Sequence, residues 1–149
     1  MDIVSNKIII LFKIDSNRVV NKELITTKNY KVLADVEGLL EIRLNDMMFF
    51  QEDYILLLEF GIFLTNWISK VKRGIYEDFK YETMDYSESP LLVFQRQESS
   101  YWKIHSDWQK IRVEEEFSLE ELLKGTEAFV SELNEQLEKI YKISMAAYL

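Results

Sequence analysis

Hydrophobic and polar positions change rhythm several times along this chain, and each change predicts an element. Residues 7–14 are an isoleucine-rich run closed by Asp15-Ser16-Asn17, the pattern of a strand running into a turn. Residues 19–27 and 30–36 predict two looser strands, the second ended by Gly38. Leu40, Ile42 and Leu44 then alternate with Glu41 and Arg43, as in a strand with one face buried. Asn45-Asp46 suits a tight turn, because both residue types tolerate left-handed backbone angles. Met47-Met48-Phe49-Phe50 returns as the hairpin partner.

From Gln51 the period shifts. Gln51-Glu52-Asp53 places acid where a helix dipole is positive, and Lys70, Lys72 and Arg73 place base where it is negative, with Gly74 able to close the last turn. Between these ends the sequence is apolar almost all round, from Tyr54 to Ile68, which predicts a helix covered on most sides and packed centrally on the sheet. Glu59 interrupts that apolar run. Buried, it would need a partner or a shifted pKa and could serve as an acid or a ligand. The simpler reading puts it on the exposed edge of the helix or beside a basic residue, since no His or second carboxylate follows at i+3 or i+4.

The stretch after Pro90 organises the rest. Residues 91–94, 101–108 and 111–114 predict three successive strands, and in the second Trp102, Ile104, Ser106 and Trp108 share a face. The helix beginning after Ser118 is expected to cover that face. Its start is the clearest local signal in the chain: Ser118 with Glu121 makes a capping box, flanked by Phe117 and Leu122 in hydrophobic-staple positions. Leu119, Leu122, Leu123, Phe129, Val130, Leu133, Leu137, Ile140 and Tyr141 recur at helical spacing, while Glu120, Glu127, Glu132, Glu135 and Glu138 take the outer face. Gly125 weakens this helix by about 1 kcal/mol relative to Ala but admits close packing. Residues 144–149 are expected to fray. Together these elements predict an α+β fold, a largely antiparallel sheet packed against two long helices (about 52–72 and 119–143), with residues 1–149 in a single globular domain.

Composition sharpens the class. Of 149 residues, 48% are apolar, enough for a real core and too many for a disordered chain. With no cysteine, disulfide staples and thiolate zinc sites are excluded. The net charge is −8, which argues against nucleic acid or an anionic membrane as partner. That charge is uneven: residues 1–50 hold seven basic and seven acidic side chains, and residues 51–149 hold eleven basic and nineteen acidic. No signal-peptide pattern is seen, and the longest apolar tract is about half a membrane span. A cytoplasmic location is the expectation.

Chemistry is harder to find. His105 is the sole histidine, and alternation puts it with Tyr101, Lys103 and Asp107, opposite the tryptophans. Alone it makes neither a familiar zinc site nor a general base with an identifiable nucleophile. Glu114-Glu115-Glu116 cannot converge fully on a strand and lacks the spacing of a calcium loop. The four glycines form no phosphate-binding loop. No catalytic residue, cofactor or metal ligand is therefore assigned. The strongest candidate surface is the acidic, tyrosine-laced segment comprising Tyr76, Glu77, Asp78, Tyr81, Glu82, Asp85, Tyr86 and Glu88. Tyrosine offers a rigid contact face with a polar tip, and carboxylates take Lys and Arg of a partner. The alternative is a sheet edge whose charges prevent aggregation.

The run from Gly38-Leu39-Leu40-Glu41-Ile42-Arg43-Leu44 through Asn45-Asp46-Met47-Met48-Phe49-Phe50, followed by Leu57-Leu58-Glu59 and Trp67, resembles a group of small uncharacterised bacterial proteins. Pro90-Leu91-Leu92 and Trp102-Lys103-Ile104-His105-Ser106 look similar too. The element order also looks like that of immunity proteins of bacterial toxin systems. That resemblance implies a compact, acidic, non-catalytic protein that neutralises a cognate toxin by binding it, and it carries over no functional residue; the acidic charge suggests a basic toxin domain as the partner, and the sequence leaves a monomer or a homodimer open. Two other functions stay open: a small-ligand binder or enzyme with a pocket between sheet and helices, holding Glu59 or His105, and a structural homo-oligomer subunit.

Overall fold

The computed structural model describes residues 5–17, 19–82 and 90–149. Among these residues six strands form two antiparallel three-stranded sheets: β1 (Ile8–Ile14), β2 (Glu37–Leu44) and β3 (Met47–Leu56) in one, β4 (Phe79–Tyr81), β5 (Leu92–Arg96) and β6 (Trp102–His105) in the other. Three helices accompany them: α1 (Lys22–Thr26), α2 (Leu57–Lys72) and α3 (Leu119–Tyr141). The α+β expectation therefore holds, with two sheets where one was expected. None of the helices among the described residues is long and apolar enough to cross a membrane.

The first hairpin forms where the sequence places it. Asn45 (φ 51°) and Asp46 (φ 68°) both adopt left-handed angles, the turn that matches strand twist. Alternation then sorts β2, with Gly38, Leu40, Ile42 and Leu44 buried. Pairing does not stop at Phe50. It continues through Glu41↔Gln51 and Leu40↔Glu52 to Glu37↔Leu56, with a register shift between Leu40 and Gly38 and Tyr54 at φ 61°. The acids at 51–53 are thus strand residues, and α2 starts at Leu57, five residues later than expected. Strand pairing satisfies the main chain there before a helical turn can.

Other expected strands turn out helical. Residues 22–26 form α1, capped by the Asn21 side chain on the Glu23 amide, and residues 30–34 form a 3₁₀ turn, capped by Asn29 on the Lys31 amide. Residues 111–114 form no strand. Phe117 instead makes a single two-bond bridge with Trp102. Trp108 is 37% exposed, because the chain turns after His105 on the Ser106 side chain, which accepts the Trp108 amide.

α2 occupies the centre. Ten of its sixteen residues are buried, and Gly74 closes it at φ 85°. Its Trp67 ring stands edge-on to Phe94 and Trp102, each at 5.5 Å, so α2 covers the second sheet, a role the sequence reading gave to α3. α3 instead runs beside β1, where Phe129 meets Phe12 at 5.5 Å and Gly125 lies so close to the Ile8 carbonyl that a side chain would collide. The capping box forms as expected. α3 ends at Tyr141 on a left-handed Lys142 (φ 57°), and the residues beyond do not fray: Ile143, Met145 and Tyr148 are buried, with Met145 over Gly61 of α2.

Candidate functional site

The acidic segment leaves α2 through Gly74 and enters the outer strand of the second sheet. Tyr76 is 47% exposed, and its ring lies under the Arg96 guanidinium at 5.0 Å. Arg96 is itself held: its amide donates to the Asp78 carboxylate at 2.9 Å and its guanidinium reaches the Ser99–Tyr101 turn through Ser100. Glu77 accepts from Lys70 at 3.1 Å, and its carbonyl takes the Trp67 indole N–H at 2.9 Å. Tyr76, Glu77 and Asp78 are therefore exposed side by side before β4, anchored to α2 and β5, while Glu82 is exposed at the far end of β4, past Tyr81. Asp85, Tyr86 and Glu88 lie outside the described residues.

Tyr81 corrects the sequence reading. Its place on β4 faces it inward beside Phe79, and it is 1% exposed, so it offers nothing to a partner. Its hydroxyl donates to the Glu59 carboxylate at 2.9 Å. Glu59, 4% exposed, is thus not on an outer edge, and among the described residues it makes no ion pair; it ties α2 to β4 through a buried hydrogen bond. The Phe60 and Phe63 rings meet Tyr81 at 5.1 and 5.5 Å and wall that pair in.

Charge also distributes differently from the count along the chain. Lys70 pairs with Glu77, Arg96 lies over Tyr76 and Lys80 stands between Asp78 and Glu82 in the chain, so three cations accompany the three acids of the described part of the segment. Residues 112–142 hold nine acidic and four basic side chains, and Glu114, Glu115, Glu120, Glu132, Glu135 and Glu138 among them are exposed. The larger acidic field therefore belongs to α3 and its approach.

His105 is exposed on the outer face of β6, next to Lys103 in register with Gln95, and far from the Glu59 setting in kind: one is solvent-facing, the other is core. Among the described residues no group of three His, Asp or Glu side chains gathers as a metal site. One further carboxylate stands out. Glu121 is partly buried, which raises its pKa, but it accepts the Ser118 and Asn6 amides and the Ser5 hydroxyl, and the net effect lowers it below the usual carboxylate range.

Sequence reasoning missed the free edge of β1. A groove of about 380 Å³ opens between it and α3, lined by Ile9, Leu11, Lys124, Ala128 and Glu132 among others. The signal lies in the uncharged run Ile8-Ile9-Ile10-Leu11-Phe12, which carries none of the charges that protect an exposed edge.

A family model described as "Domain of unknown function (DUF7878)" matches residues 10–139. The chain belongs to that family. No curated protein and no solved structure matches it.

Proposed function

We propose that this member of the family is a non-catalytic protein-binding module, of the immunity type that masks a basic toxin domain with an acidic surface. The observation that carries the reading is Tyr76. An exposed aromatic ring braced by a cation, with Glu77 and Asp78 next to it in the chain, is a preorganised anchor for a protein partner. Little rotamer entropy remains to be lost when such a ring is covered. The exposed carboxylates of α3 supply the longer-range attraction, speeding encounter with a positive partner and setting a salt dependence.

Co-purification with the product of the neighbouring reading frame tests this. Tyr76→Ala is expected to weaken binding by about 2 kcal/mol, with the melting temperature retained. Glu82→Lys is expected to slow association, more so at low salt. A neighbouring product that does not bind, or full affinity in Tyr76→Ala, counts against the proposal.

A further inference from the structure

The two edges of the first sheet are finished differently. β3 carries two register shifts, the acids Glu52 and Asp53, and a bond from the Lys110 amide to the Phe49 carbonyl at 2.8 Å. These are the usual protections of an exposed edge. β1 has an unbroken register with β2 and no charge from Ile8 to Phe12.

Its hydrogen-bonding parity can be read directly. The Asn45 amide donates to the Lys7 carbonyl at 2.9 Å, and the Asp15 amide donates to the Glu37 carbonyl at 2.8 Å. Odd-numbered residues of β1 therefore bond β2, and Ile8, Ile10, Phe12 and Ile14 turn their N–H and C=O groups off the sheet. Gly125 of α3 closes against Ile8. Among the described residues no hydrogen bond from outside the sheet reaches the main chain of Ile10, which lines the groove beside α3, or of Phe12, one residue past its end.

We propose that β1 pairs with β1 of a second copy of this chain about a two-fold axis at Leu11, joining two sheets into one of six strands. In that register Ile10 pairs with the partner's Phe12, and Phe12 with the partner's Ile10. Ile10 and Phe12 of each strand thus satisfy each other, and the pairing stops short of the blocked Ile8 carbonyl. Leu11, 44% exposed in the single chain, covers the partner's Leu11. The helices agree with the strands. α3 runs alongside β1 with Gly125 at Ile8 and Phe129 at Phe12, so the same axis passes beside Ala128 and brings Lys124 toward the partner's Glu132. A small residue at the axis with opposite charges on either side is self-complementary, as an isologous contact requires. This surface is separate from the one around Tyr76.

Light scattering and sedimentation of the full chain across a concentration series test the pairing. A dimer is expected, with amide exchange at Ile10 and Phe12 slowing as it forms. Leu11→Lys sets two ammonium groups at the axis and is expected to weaken the dimer about a hundredfold, with an unchanged melting curve at dilutions where both proteins are monomeric. Lys124→Glu alone is expected to weaken it, and Lys124→Glu with Glu132→Lys to restore it. A chain that stays monomeric at the highest concentration overturns the proposal. So does a dimer that Leu11→Lys leaves intact, or a monomer whose Ile10 and Phe12 amides are protected only by an added foreign peptide.

Discussion

Ten of the sixteen residues of α2 are buried, whereas α3 buries five of twenty-three. The two helices pack against each other through Phe60 and Phe129, whose rings meet at 5.4 Å, yet they are specified in opposite ways. α3 begins on a capping box, keeps one apolar stripe and turns its acids outward. α2 has no side-chain cap, starts directly from the end of β3 and carries apolar residues on most faces. A helix written like α3 is defined by its own sequence. One written like α2 is defined by whatever surrounds it, here both sheets, α3, the 3₁₀ turn at residues 30–34 and the C-terminal turn.

That contrast can be broken most sharply at Phe60. It is fully buried and meets Phe79, Tyr81 and Phe129, so Phe60→Ala is expected to cost about 3–5 kcal/mol in urea denaturation. A loss under 1 kcal/mol would mean that α2 is not the centre of the core. Tyr81→Phe removes the one hydroxyl shown to bond Glu59 and is expected to cost about 1–3 kcal/mol, leaving a core carboxylate short of a donor. The same change should leave partner binding intact, since Tyr81 is inside. Ser118→Ala addresses α3 alone, at about 1 kcal/mol, and no equivalent substitution exists at the start of α2.

The smallest effect is a pH slope. Glu121 has a folded pKa lowered relative to its unfolded value, so its contribution is fully present above the unfolded pKa and is lost as pH falls through the folded one. Stability should therefore fall on the acid side of the usual carboxylate range. Glu121→Gln should flatten that limb while leaving the melting temperature near neutral pH lower. An acid limb unchanged by Glu121→Gln would remove the carboxylate from this role.

The same contrast explains what could be read in the sequence. The Asn45-Asp46 turn and the Ser118–Glu121 cap are local, with donor and acceptor a few residues apart, and both were legible. The asparagine caps at Asn21 and Asn29 were equally local, but the β-branched residues beside them suggested strands. The start of α2 depends on pairing between Glu37 and Leu56, and the loss of the strand at 111–114 depends on Phe117 reaching Trp102; no short window contains either. At the candidate surface, the tyrosine and acid composition was visible from the sequence. That Tyr81 points inward while Tyr76 points outward was not, because strand phase is set by Phe79 and Phe94 pairing across the sheet. The balancing cations Lys70 and Arg96 come from other elements and were likewise hidden.

The surroundings of α2 have a consequence for synthesis. Residues 57–72 leave the ribosome well before β4, α3 and the buried Met145 and Tyr148 that enclose them. For that interval Phe60, Leu64 and Trp67 have no finished shelter, and a nascent chain carrying them is a natural client for chaperones. Slowing translation downstream of residue 72 should then lower the soluble yield, by lengthening the time this greasy segment waits for its walls.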